Sequence, residues 1–226
     1  SGQRAIAYAF TAVPARNSLE RKDWQTAITL MPKSPSYFPW IDADKRDIGN
    51  TYFARALGFS RLGRPDEATA DIELLAEMAA TLPPMNGLEY YRMKIESQLL
   101  GARAWQYLAN GDTENALALM KQASEQEATS KNAPSNPGDI LPAEELLGDM
   151  YLKLSRVEEA HAAYKLSLKR SPGRYNSIYG VGNTAYELGD METAKKYFSL
   201  LIENSEGGNS SRTTLADART KLATLN

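Results

Sequence analysis

Leu147-Gly148-Asp149-Met150-Tyr151, then Ala160-His161-Ala162-Ala163-Tyr164, then Ser171-Pro172, place a glycine, an alanine and a tyrosine at spacings of twelve and four. The same spacing returns at Gly182–Ala194–Phe198, 34 residues further on. Looser copies occur at Ala15–Ala27–Met31, Ala56–Ala68–Ile72 and Ala104–Ala116–Met120. Two helices folded back on each other approach closely only where small side chains face one another. Gly148 on a first helix and Ala160 on a second are expected to form that contact, with Leu147, Tyr151 and Tyr164 filling the core beside it.

The turns between these helices are equally visible. Asn110-Gly111-Asp112 and Leu188-Gly189-Asp190 each offer a glycine to end one helix and an aspartate to cap the next. Glu114 and Glu192 follow at the positive ends of the new helices. Pro65, in Leu62-Gly63-Arg64-Pro65, suits a first helical turn. The patterning predicts helices over 3–21 (bent at Pro14), 23–31, 43–62, 65–81, 87–110, 112–128, 141–154, 156–170, 174–188, 190–204 and 210–224.

Leu147-Gly148-x-x-Tyr151, Ala160-x-x-x-Tyr164 and Pro172 resemble the tetratricopeptide repeat, whose period is 34 residues. The unit with Gly182, Ala194 and Phe198 resembles it too, but has Glu206 in place of the closing proline. Glu144 and Ile178 stand where that family often has tryptophan. The resemblance implies an all-α fold, an α-α superhelix of about five helical hairpins plus a C-terminal capping helix. It is read as one domain over 1–226: degenerate repeats over 1–128, two well-matched units over 141–208, and a polar capping helix over 209–226. Leu215 and Ala216 fall at the Leu-Gly positions of that last helix, and a terminal repeat needs a polar outer face.

A narrower likeness, to the C-terminal part of bacterial and often exported repeat proteins, rests on two stretches. They are Pro14-Ala15-Arg16…Leu19-Glu20-Arg21-Lys22-Asp23-Trp24 and Pro137-Gly138-x-x-Leu141-Pro142-Ala143-x-Glu145-Leu146-Leu147-Gly148. It implies a periplasmic or exported setting, although a cytoplasmic one is compatible with the same residues. With its opening Ser1-Gly2-Gln3, the sequence reads as a fragment of a larger protein.

Composition excludes several kinds of chemistry. Among 226 residues there is no cysteine and one histidine, so disulfides, cysteine-ligated zinc, cysteine nucleophiles and paired-histidine metal sites are ruled out. Lys and Arg number 26 against 28 Asp and Glu, without the basic excess of a typical nucleic-acid binder. No run of about 18 apolar residues is present to span a membrane. Phosphate-binding glycine loops, zinc-protease motifs and nucleophile elbows are lacking too.

His161 could act as a base near neutral pH, but no serine or aspartate spacing around it forms a triad, and it reads as a surface residue. Glu144/Glu145 and Glu158/Glu159 read as solvated helix surface rather than metal ligands, and Asn209-Ser210-Ser211 is too short a glycosylation pattern to carry weight. The chain is therefore read as a non-enzyme with no cofactor and no metal.

In the tetratricopeptide family, fixed positions on the first helix of each repeat usually face a ligand across a concave surface. By register these include Asn50, Phe53 and Arg61 in one unit and Gln98 and Trp105 in the next. They continue with Glu145 and Asp149, then Tyr179, Asn183 and Tyr186. Aromatic side chains and amides suit a groove for an extended peptide, and helices or loops filling the concavity are the competing reading. The family's lysine-and-asparagine clamp is not reproduced, because Tyr179 stands where lysine is needed beside Asn183.

These residues imply a protein–protein interaction scaffold for a protein or peptide partner. The alternatives are a docking domain for a preceding region of a larger exported protein, or a small-ligand binder or enzyme built around Trp105, Glu145 and Asp149. Two inserts stand apart from the repeats. The aromatics of 32–40 are expected to plug the end of the superhelix, and the insert over 130–140 contains Pro134, Pro137 and Gly138.

Overall fold

The computed structural model describes residues 2–82, 89–129, 138–208 and 210–225. Pro134 and Pro137 of the second insert, and Asn209, lie outside these residues. The described residues form eleven α-helices and short 3-10 turns, with no strand: an all-α, tetratricopeptide-like helical repeat. The chain divides into two compact units, 1–143 and 144–226.

In the first unit the α-helices are α1 (Gly2–Glu20), α2 (Trp24–Ile28), α3 (Lys45–Arg61), α4 (Thr69–Thr81), α5 (Glu89–Ala109) and α6 (Thr113–Thr129). The first helices α1, α3 and α5 lie side by side, with α2 and α4 against α3 and α6 against α5. Alanines make this close packing possible: Ala15, Ala27, Ala56, Ala68, Ala104 and Ala116 are all fully buried. Each is one of the small residues in the recurring spacing.

Helix α2 ends at Ile28 rather than near 31. Thr29 already donates to Thr26 O in a tighter turn, and Pro32 disfavours helical backbone at the residue before it. Helices α3 and α4 each begin with a 3-10 turn, Asp42–Asp44 and Pro65–Ala68. Phe38 and Trp40 of the first insert form an edge-on aromatic cluster with Phe10 of α1, at centroid distances of 5.3 Å for Phe10–Phe38 and 5.0 Å for Phe38–Trp40. Tyr37 points away into solvent.

The second unit carries α7 (Ala143–Lys153), α8 (Val157–Arg170), α9 (Tyr175–Glu187), α10 (Met191–Glu203) and α11 (Thr213–Thr224). Its last three helices enclose a core of Ile178, Ala185, Ala194, Phe198, Leu201, Leu215 and Ala218. The small first-helix residues make room for a ring rather than for the facing alanine. A Cβ added at Gly148 would lie 2.8 Å from the Tyr164 ring, and one at Gly182 would lie 2.9 Å from Phe198. Between α9 and α10, Gly189 takes φ +80°, and the Asp190 carboxylate accepts the Thr193 N–H at 3.1 Å. At the corresponding turn between α7 and α8, Ser155 is held at φ +58°.

Candidate partner-binding surface

The register places Asn50, Phe53 and Arg61 on α3 and Gln98 and Trp105 on α5. Asn50 and Gln98 meet directly: Gln98 Nε2 donates to Asn50 Oδ1 at 3.1 Å. Asn50 Nδ2 in turn donates to Thr11 Oγ1 at 3.4 Å, so one amide chain ties α1, α3 and α5 together. Both amides are buried, as are Phe53 at 2% exposure and Trp105 at 1%. Burying a side chain of Phe size stabilises by about 1.5–3 kcal/mol, which gives Phe53 and Trp105 a packing role.

Arg61 is the member of this group that reaches the surface. Its guanidinium lies 4.2 Å from the Trp105 ring centre and 4.7 Å from that of Trp24. A cation over an indole face is attracted by the ring's quadrupole, so this contact both covers Trp105 and fixes the arginine.

In the second unit Glu145 is fully engaged. Arg174 donates to its two carboxylate oxygens at 2.9 Å each, Ser177 at 2.5 Å and Asn176 at 3.3 Å. Asp149 accepts the Tyr164 hydroxyl at 2.6 Å. Neighbouring Glu144 pairs with Arg170. These acids therefore join helices by hydrogen bonding, and Glu144 and Glu145 are buried rather than solvated.

Tyr179, Asn183 and Tyr186 share one face of α9, and α11 engages all three. Tyr179 donates to Asp217 at 2.7 Å, and Lys221 donates to Asn183 Oδ1 at 2.5 Å. The Lys221 ammonium also sits 5.6 Å from the Tyr186 ring centre and 2.8 Å from Asp217, while Asn183 Nδ2 donates to Glu187 at 2.7 Å. Burial and then the bond to Asp217 push the Tyr179 phenol well above its ordinary value. At Asp217 burial works the other way, but the hydrogen bonds from Lys221 and Tyr179 prevail and hold the carboxyl below its usual range. Tyr179 and Tyr186 remain half-exposed. Asp217 and Lys221 were not among the expected site residues, yet the register points to them: they stand one period of 34 beyond Asn183 and Glu187.

His161 is half-buried rather than a surface residue, with Nδ1 2.8 Å from Thr184 Oγ1. Burial, then the nearby Lys165, lowers its pKa. Among the described residues no cluster of three or more His, Cys, Asp or Glu could hold a metal ion, and no helix is long and apolar enough to cross a membrane.

The hairpin of α9 and α10, with its glycine-for-ring exchange and its polar face under α11, has a counterpart among known families. Residues 175–206 match the tetratricopeptide repeat. This tetratricopeptide match begins at Tyr175, where α9 starts, and runs just past the end of α10. No curated protein matches the chain. Tetratricopeptide repeats generally bind protein partners and are generally non-catalytic.

Proposed function

We propose that this chain is a non-catalytic interaction module that holds a partner protein or peptide on the first-helix faces of its repeats. The observation that carries this reading is the tetratricopeptide match over 175–206, which includes Tyr179, Asn183 and Tyr186. Half-exposed Tyr179 and Tyr186 offer rigid apolar area to a partner, and buried Asn183, with Asp217 and Lys221, supports them. Arg61, stacked on two tryptophans, plays the corresponding part in the first unit. Asn50, Gln98, Phe53, Trp105, Glu145 and Asp149 support these faces from below.

The repeat array proposed here runs through 1–226, with degenerate units over 1–128 and well-matched units over 141–208. The bacterial, exported setting is inferred from the two stretches that carry the narrower likeness, and fractionation of the source cells would test it.

The functional test uses the chain as bait, with the binding of each co-purified protein then measured on purified components. Tyr186→Ala combined with Arg61→Ala should abolish capture while helical circular dichroism is unchanged. Tyr107→Ala, at an exposed site on α5, should bind as the native chain does. Equal binding by all three proteins would overturn the reading.

A further inference from the structure

Where α3 begins, its first two turns and one side of α4 enclose a cleft of about 600 Å³. That volume lies in the range of small-molecule sites. Its floor is apolar, formed by Ile48, Leu74 and Met78. Leu74 is left 37% exposed, and Met78 settles against Gly49, where a Cβ would lie 3.2 Å from its terminal methyl.

Arg46 lines the same cleft. Its side chain is only 6% exposed, and its Nε has no hydrogen-bond partner among the described residues. The Asp47 carboxylate stands 3.8 Å from that nitrogen, too far for a hydrogen bond. The guanidinium is held in place instead by the Tyr91 ring, whose centre is 4.2 Å away. A buried donor left without an acceptor is destabilising, and a carboxylate beside the guanidinium would supply the charge-assisted acceptor that Arg46 lacks among the described residues.

The charge at the rim limits what that group is. Lys45 is paired with Asp42 at 3.4 Å, Arg4, Lys33 and Glu77 also line the cleft, and the Asp47 carboxylate stands beside Arg46. The remaining field is mildly positive, which suits one negative charge better than several.

We infer that this cleft binds a small apolar molecule carrying one carboxylate, the carboxylate accepting from Arg46 and the apolar body lying on Ile48, Leu74 and Met78. Such a site stands apart from the proposed partner surface, and either can fail without the other.

Calorimetric titration with phenylbutyrate, and with phenylbutanol as its uncharged counterpart, tests this on the full chain. Phenylbutyrate should bind more tightly than the alcohol. Arg46→Met, which keeps the apolar stem, should weaken the acid by about tenfold or more, as expected for loss of a charge-assisted hydrogen bond, and leave the alcohol unchanged. Met78→Trp should block both ligands by filling the floor. Should Arg46→Met fail to fold, Arg4→Gln with Lys33→Gln should still weaken the acid selectively. Failure of phenylbutyrate to bind, equal affinity for acid and alcohol, or indifference of binding to Met78→Trp would overturn the inference.

Discussion

The Tyr164 ring occupies the space that a side chain at Gly180 would need, its nearest atoms 2.6 Å from where a Cβ would lie. The same ring blocks a Cβ at Gly148 at 2.8 Å, so one tyrosine on α8 is clasped between glycines of α7 and α9. In an ordinary helix interior, glycine to alanine stabilises by up to about 1 kcal/mol. Here Gly180→Ala should reverse that sign and destabilise by about 1–3 kcal/mol through overpacking. Urea denaturation reads the difference, and an unchanged or raised midpoint would contradict the packing described.

How much could be read beforehand follows from what each signal encodes. The glycine–alanine–aromatic spacing is covalent information, so the helical hairpins and their turns were legible. The identity of the close contact was not: spacing pairs Gly148 with Ala160 and Tyr164 alike, and only the packed helices show the ring taking the space. The 3-10 starts of α3 and α4 escaped for a similar reason, since Asp42–Asp44 and Pro65–Ala68 read as ordinary first turns. Phe53 and Trp105 fall in ligand-facing register, but exposure depends on what neighbouring helices bring. For Trp105 that is Arg61, which no periodicity connects to it.

Glu145 and Arg174 form a buried, two-bond ion pair, the carboxylate side chain 2% exposed and the guanidinium 14%. Removing one member of such a pair leaves a buried charge uncompensated, a loss of about 3–5 kcal/mol. Arg174→Met should therefore lower the melting temperature sharply, and the Arg174→Met/Glu145→Leu double variant should regain much of it. If the single substitution has little effect, the pair does not hold α7 to α9.

Ser155 turns the chain from α7 to α8 in a left-handed conformation that costs a non-glycine residue roughly 1–2 kcal/mol. Ser155→Gly should raise stability by about that amount, less what glycine loses through its freer unfolded chain. Thermal unfolding of the two proteins decides it, and a lowered melting temperature would argue against this turn geometry.

Buried Asp47 and half-buried Lys94 in the first unit should make stability depend on pH in opposite windows. Burial pushes the Asp47 carboxyl up to about 6, against the pull of Arg46 and Lys94. Between about pH 4 and 6 the folded chain holds a proton that the unfolded chain has released, so stability falls as pH rises through that range. Asp47→Asn should lack this slope and gain on the native chain from pH 4 to 6, with no further gain above.

Lys94 donates to Gly138 O at 3.2 Å, and burial pushes its ammonium down to about 8. Above that pH the folded chain sheds a proton that the unfolded chain keeps until about pH 10.4, so stability rises through this window. Lys94→Met should lose that rise. Melting curves across both windows that run parallel for native and variant chains would show that neither group is placed as described.

In the proposed function, partners are held on the first-helix faces of α3 and α9, with α11 extending the second of these. Hydrogen–deuterium exchange of the chain alone and bound to a captured partner locates that surface. Slowed exchange should map to α3, α9 and α11. Protection confined to the second helices α4, α6, α8 and α10 would contradict it.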